Sequence, residues 1–140
     1  MKLQFLCVNH RRWLEQHSAA ALRTWEQGSE NALMLIRDMR FDEALPHAGC
    51  AFEAAEILLR TSPENLYDNM TRFTSSTLLL KNVLGSCSEE NKHRDLLPMV
   101  QKIAEQVSRQ ELNRNADQPW LVNMQNVMLT AGSAYMSALH

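Results

Sequence analysis

The chain has 140 residues, 45% of them hydrophobic and 21% charged, with only four Gly and four Pro. That length suits one domain, 1–140, able to bury about 70% of the surface its unfolded chain exposes, and the balance argues against disorder and against a turn-rich all-β fold. A formal net charge of −2 supplies no broad field for nucleic acid or an anionic membrane, so neither is an expected partner.

The pattern predicts helices throughout. The first is expected over Asn9–Gln27, where Trp13, His17, Ala20, Ala21 and Trp25 recur at helical spacing. Gly28 is expected to stop it, with Ser29 capping a short second helix over Glu30–Met39. A third is expected from Asp42 or Glu43 to Arg60, which places Pro46 in its first turn, where a missing N–H costs little. Its inward face reads Ala44, Ala48, Ala51, Phe52, Ala55, Leu58 and Leu59.

Thr61-Ser62-Pro63-Glu64 is the strongest boundary, since Pro suits a first helical position and Glu suits the helix dipole. The fourth helix is expected to run to about Leu84, with Leu66, Met70, Phe73, Thr77, Leu80 and Leu84 on one face and Gly85 as its stop. After a polar loop over Ser86–Arg94, a fifth helix capped by Asp95 carries the stripe Leu97, Val100, Ile103, Ala104 and Val107. Asn113–Asp117 reads as a loop. A sixth helix then follows, with Pro119 in its first turn and Trp120, Met124, Val127, Met128, Ala131 and Tyr135 along its stripe. The expected fold is all-α: five or six antiparallel helices in a bundle or short helical array.

Residues able to do chemistry do not gather in the sequence. None of the five His forms an i, i+4 pair, and Cys7, His10 and His17 lack the partner pair of a helical metal site. Glu53 and Glu56 share a helix face but read as solvated carboxylates, and His10-Arg11-Arg12 as a solvated basic helix start. No phosphate-cradling or nucleophile-elbow motif occurs. No catalytic residue, metal or cofactor is expected, and the protein is expected not to be an enzyme; a small helical metal sensor or enzyme using His10, His17 or His47 is the opposing reading. Cys7, Cys50 and Cys87 are odd in number and widely spaced, which points to reduced thiols and hence the cytoplasm. Nothing near the start has the form of a signal peptide, and no run approaches the ~18 apolar residues of a membrane span.

Ala32-Leu33-Met34-Leu35-Ile36 is apolar all round, so burial between neighbouring helices is expected, and likewise for Leu78-Leu79-Leu80. The sixth helix carries Leu121, Val122, Leu129, Met136 and Leu139 off its main stripe, which offers a homodimer interface.

Ser29–Leu59 resembles one tetratricopeptide repeat, through Ala32, Leu35, Phe41-Asp42-Glu43-Ala44-Leu45, Ala48 and Ala51. Ala32 and Met39 replace the family's Gly, the expected proline is delayed to Pro63, and no second clean copy follows. The resemblance implies a helix pair whose first member lines a peptide-holding groove, and it nominates Leu33, Ile36 and Arg37 as partner-binding residues. Ser29 and Leu33 stand where some members clamp a C-terminal carboxylate, which argues against that mode here. Asn65–Arg72 resembles a helix segment of flagellin-type export chaperones, the alternative this implies. The expected function is a protein-interaction module (adaptor, chaperone or regulator) that holds a protein segment between helices.

Overall fold

The computed structural model describes residues 4–87 and 93–114. They form α1 (Val8–Glu15), α2 (Ser18–Arg37), α3 (Phe41–Thr61), α4 (Leu66–Ser86) and α5 (His93–Arg114), with a 3-10 turn at Pro63–Asn65 and no strand among the described residues. The fold is all-α, as the periodicity predicts. The expected sixth helix, and any homodimer interface on it, lies outside the described residues.

The first expected helix is broken and its second half fused to the next. The break falls at Gln16 and His17. The His17 N–H bonds Leu14 O at 3.1 Å, a tightened turn. Its imidazole Nδ1 meets Trp13 O at 2.7 Å, with the ring stacked on Trp13. The side chain thus occupies the carbonyl that a continuing helix would give to the backbone. The break lets α2 fold back so that Ala20 and Ala21 share one apolar cluster with Leu14, Ile57 and Leu58.

Gly28 does not stop a helix, and Ser29 caps nothing: α2 runs through both. A Cβ on Gly28 would lie 2.7 Å from the His47 carbonyl oxygen and 3.1 Å from Ala51 Cβ. Its role is close approach of two helices, continued by the fully buried Ala32, Ala44, Ala48 and Ala51. Side chains this small let the α2 and α3 backbones pack nearer than larger residues allow.

The true end of α2 is a Schellman turn. The N–H of Met39 bonds Ile36 O and that of Arg40 bonds Leu35 O, both at 2.9 Å. Met39 has φ 60°, the left-handed conformation usually reserved for Gly at this position.

From Ala51 to Leu59 every residue of α3 is buried. Helix α3 is therefore the central rod, with α2 and α4 on its flanks. Ala21 and Leu58 share one apolar cluster while Gly28 meets Ala51, so α2 and α3 are antiparallel. Likewise Asn69 bonds Leu58 O, and Phe73 packs on Phe52 at 5.2 Å between ring centroids, which sets α4 antiparallel to α3. Pro46 sits one or two residues deeper than expected, in the second turn, because α3 begins at Phe41.

The Ser62–Pro63 boundary is where the sequence places it, and Asn69 secures it by donating to both Leu58 O and Ser62 O at 3.1 Å. The α4 stripe is borne out in full: Leu66, Met70, Phe73, Thr77, Leu80 and Leu84 are all buried. In α5, Leu96 rather than Leu97 joins Val100, Ile103, Ala104 and Val107 inside. The helix starts at His93, before the expected cap Asp95, and runs on to Arg114 through the start of the expected loop. Trp25 ties α2 to α4 by donating its Nε1–H to Ser76 Oγ at 2.7 Å, with Arg72 5.6 Å from the ring centre.

Candidate functional site

Two surfaces stand out: a charged cleft between α1, α3 and α5, and the C-terminal end of α2. The cleft begins with Glu53 and Glu56, expected to be solvated but only 5% and 9% exposed. Burying a carboxylate is costly unless it is paired and hydrogen-bonded, and both are. Glu53 Oε2 accepts the backbone N–H of Phe5 at 3.0 Å and that of Leu6 at 2.5 Å. Glu56 Oε2 accepts from Arg60 Nε at 2.8 Å and is ion-paired with Arg11 Nη2 at 3.0 Å. Arg11, expected to be solvated, is half-buried and also reaches Glu53 at 3.8 Å and Glu15 at 3.5 Å. Arg60 Nη2 continues the network to Gln106 Oε1 of α5 at 2.8 Å.

The chain just before α1 is thereby strapped onto α3. The Phe5 ring lies on Gly49, where a Cβ would sit 2.2 Å from a ring carbon, so only Gly admits the ring there. Burial pushes the Glu53 pKa up. The Leu6 and Phe5 N–H groups and Arg11 pull it back, while Glu56 adds to the rise. Cys50 beside it is also raised, by burial and by the Glu53 charge. The cleft encloses about 450 Å³ and has an apolar wall including Val8, Phe52, Met99 and Ile103.

The second surface corrects an expectation. Ala32 is buried and Leu35 and Ile36 are half-buried, but Leu33 is 47% and Met34 57% exposed, and Met39 just beyond is 74% exposed. Helix α2 packs on one side only here, so an all-round apolar run leaves part of itself in solvent. Leu78 of α4 is also exposed, whereas Leu79 is half-buried and Leu80 buried. Of the nominated residues, Leu33 and Arg37 are exposed and lie one helical turn apart, while Ile36 packs against the main core. Ile36 follows Trp25 by eleven residues and so shares its face of the helix, the face towards α4.

Cys7 serves as the N-cap of α1, accepting the His10 N–H at 3.4 Å. His10 and His17 are exposed and His47 half-buried. Among the described residues, no group of three or more His, Cys, Asp or Glu side chains is placed to hold a metal ion. Lys81 was not singled out by its sequence; it is buried on α4, and burial pushes its pKa down. One signal does reveal the two glutamates. They are the only polar residues between Ala51 and Leu59, so a helix apolar on all other sides must enclose them.

Fold and surface together define an all-α protein with a wrapped central helix, and no described helix is long and apolar enough to cross a membrane. No protein-family model matches the chain, and neither a curated protein nor a solved structure shows significant similarity to it.

Proposed function

We propose that this chain is a protein-interaction module that holds a partner segment against the C-terminal end of α2, through Leu33, Met34 and Met39 with Ile36 at the edge and Arg37 beside them. One observation carries the reading: three large apolar side chains stand 47%, 57% and 74% exposed within seven residues. Burying apolar area of that kind returns about 25 cal/mol per Å². Methionine adapts to irregular partner surfaces, and an amphipathic helix laid along such a row would place its own apolar face there. The tetratricopeptide-like pairing of α2 with α3 belongs to the same proposal, supported by the small buried residues Ala32, Ala44, Ala48 and Ala51 between them. So does a reducing compartment such as the cytoplasm, supported by three free cysteines.

A photo-crosslinking side chain at Met34, compared with one at the exposed Arg109 of α5, tests the reading in the native cell. A discrete protein adduct at position 34 that disappears with Leu33→Asp is expected. Equal labelling at both positions, or an adduct indifferent to Leu33→Asp, overturns it.

A further inference from the structure

The cleft between α1, α3 and α5 has a donor surplus. Its two carboxylates are committed within the protein, Glu53 to backbone N–H groups and Glu56 to two guanidinium groups. Arg60 spends Nε on Glu56 and Nη2 on Gln106, which leaves Nη1 without a partner among the described residues. The exposed Lys102 on the rim likewise has no ion-pair partner among the described residues. Arg11, Arg60 and Lys102 against Glu53 and Glu56 give the lining a charge of three minus two, a net +1.

These groups are not scattered. Helices α3 and α5 both line the cleft, and the Arg60–Gln106 bond joins them. One turn before Arg60 on α3 lies Glu56, and one turn before Gln106 on α5 lies Lys102; a further turn back stand Phe52 and Met99, all lining the cleft. The cleft thus combines donors around Arg60 with apolar side chains from Met99 and Val8. Its volume of about 450 Å³ falls in the range of small-molecule sites, ~300–1,000 Å³.

We propose that this cleft binds a small aliphatic monocarboxylate, its head group against Arg60 and Lys102 and its hydrocarbon body against Met99 and Val8. The remaining guanidinium N–H donors at Nη1 and an ammonium suit a carboxylate, and the apolar wall rewards a chain behind it. The site is separate from the α2 surface and stands or falls independently of it.

Titration with octanoate, followed by amide NMR shifts, tests the proposal, with octanol as the same body without charge and acetate as the head without a body. Octanoate is expected to shift amides around residues 56–60 and 99–106, with octanol at least about tenfold weaker for want of a charge-assisted contact and acetate at least about tenfold weaker for want of apolar burial. Lys102→Met, which removes an exposed side chain and leaves the fold intact, is expected to weaken octanoate about tenfold. Gln106→Glu keeps an acceptor for Arg60 but adds a repelling charge and is expected to weaken it further. Octanoate and octanol binding equally, shifts centred on α2, or full affinity in both variants would each overturn the assignment.

Discussion

Met39→Gly should make this protein more stable while weakening its proposed contact with a partner. Met39 holds φ 60° at the end of α2, a conformation that costs an L-residue with a Cβ about 1–2 kcal/mol. Glycine removes that cost but gives the unfolded chain more freedom, worth about 0.5–1 kcal/mol. Because the Met39 side chain is 74% exposed, little burial is lost. The net expectation is a gain of about 0.5–1 kcal/mol, or a rise of about 2–5 °C in Tm for a domain of this size. Chemical denaturation with an unchanged m-value reads the gain directly. Met39→Ala is the companion variant: it keeps the backbone cost and removes the thioether, so stability should stay near wild type. Both variants should crosslink less partner through position 34. A lower midpoint for Met39→Gly would refute the assignment of left-handed strain. Undiminished crosslinking would show that the exposed methionine does not contribute to binding.

Three further outcomes follow from the packing. Gly28→Ala gains about 1 kcal/mol of helix propensity, yet its Cβ would meet the His47 carbonyl oxygen at 2.7 Å; with overpacking at about 1–3 kcal/mol, urea denaturation should show a net loss, and a stabilised variant would contradict the close helix contact. Asn69→Ala strips the buried donor from the Leu58 and Ser62 carbonyls and should cost about 2–3 kcal/mol, so a loss below 0.5 kcal/mol, roughly the scale of a surface change, would count against it as the α3–α4 clasp. Glu53 has a raised pKa in the folded protein, caused first by burial, so the folded state holds this proton more tightly than the unfolded chain. Its contribution to stability therefore falls as pH rises from the free carboxylate value, about 4.3, through the raised folded value. Glu53→Gln cannot titrate. The stability difference between variant and wild type should grow in the variant's favour across that window and level off above it, and a difference that shrinks with rising pH would reverse the sign.

The helical class was legible because apolar residues recur at helical spacing, as in the α4 stripe from Leu66 to Leu84, every named member of which is buried. Punctuation was less so. A glycine after a helical run reads as a stop, but Gly28 answers to the carbonyl of His47, nineteen residues on, and such a neighbour is invisible locally. The same blindness applies to Met39, whose left-handed backbone contradicts the preference of its own side chain. The break at His17 turns on where one imidazole nitrogen points, which periodicity does not encode. At the α2 surface, Leu33 and Arg37 are exposed where the repeat resemblance nominates them, whereas simple hydrophobicity expects Leu33 to be covered. The cleft was missed because its pairs join Arg11 to Glu56 and Arg60 to Gln106, separations that only the assembled fold brings together.

The clasp of Glu53 on Phe5 and Leu6 sets an order of events. Those bonds span 48 and 47 residues, and their acceptor occupies its position only after α3 has coiled. A ribosome releasing this chain therefore sets free a segment that must wait for 47 or more further residues before it has anywhere to settle. Long loops close last and open first, so amide exchange at Phe5 and Leu6 should outpace that of α3 itself.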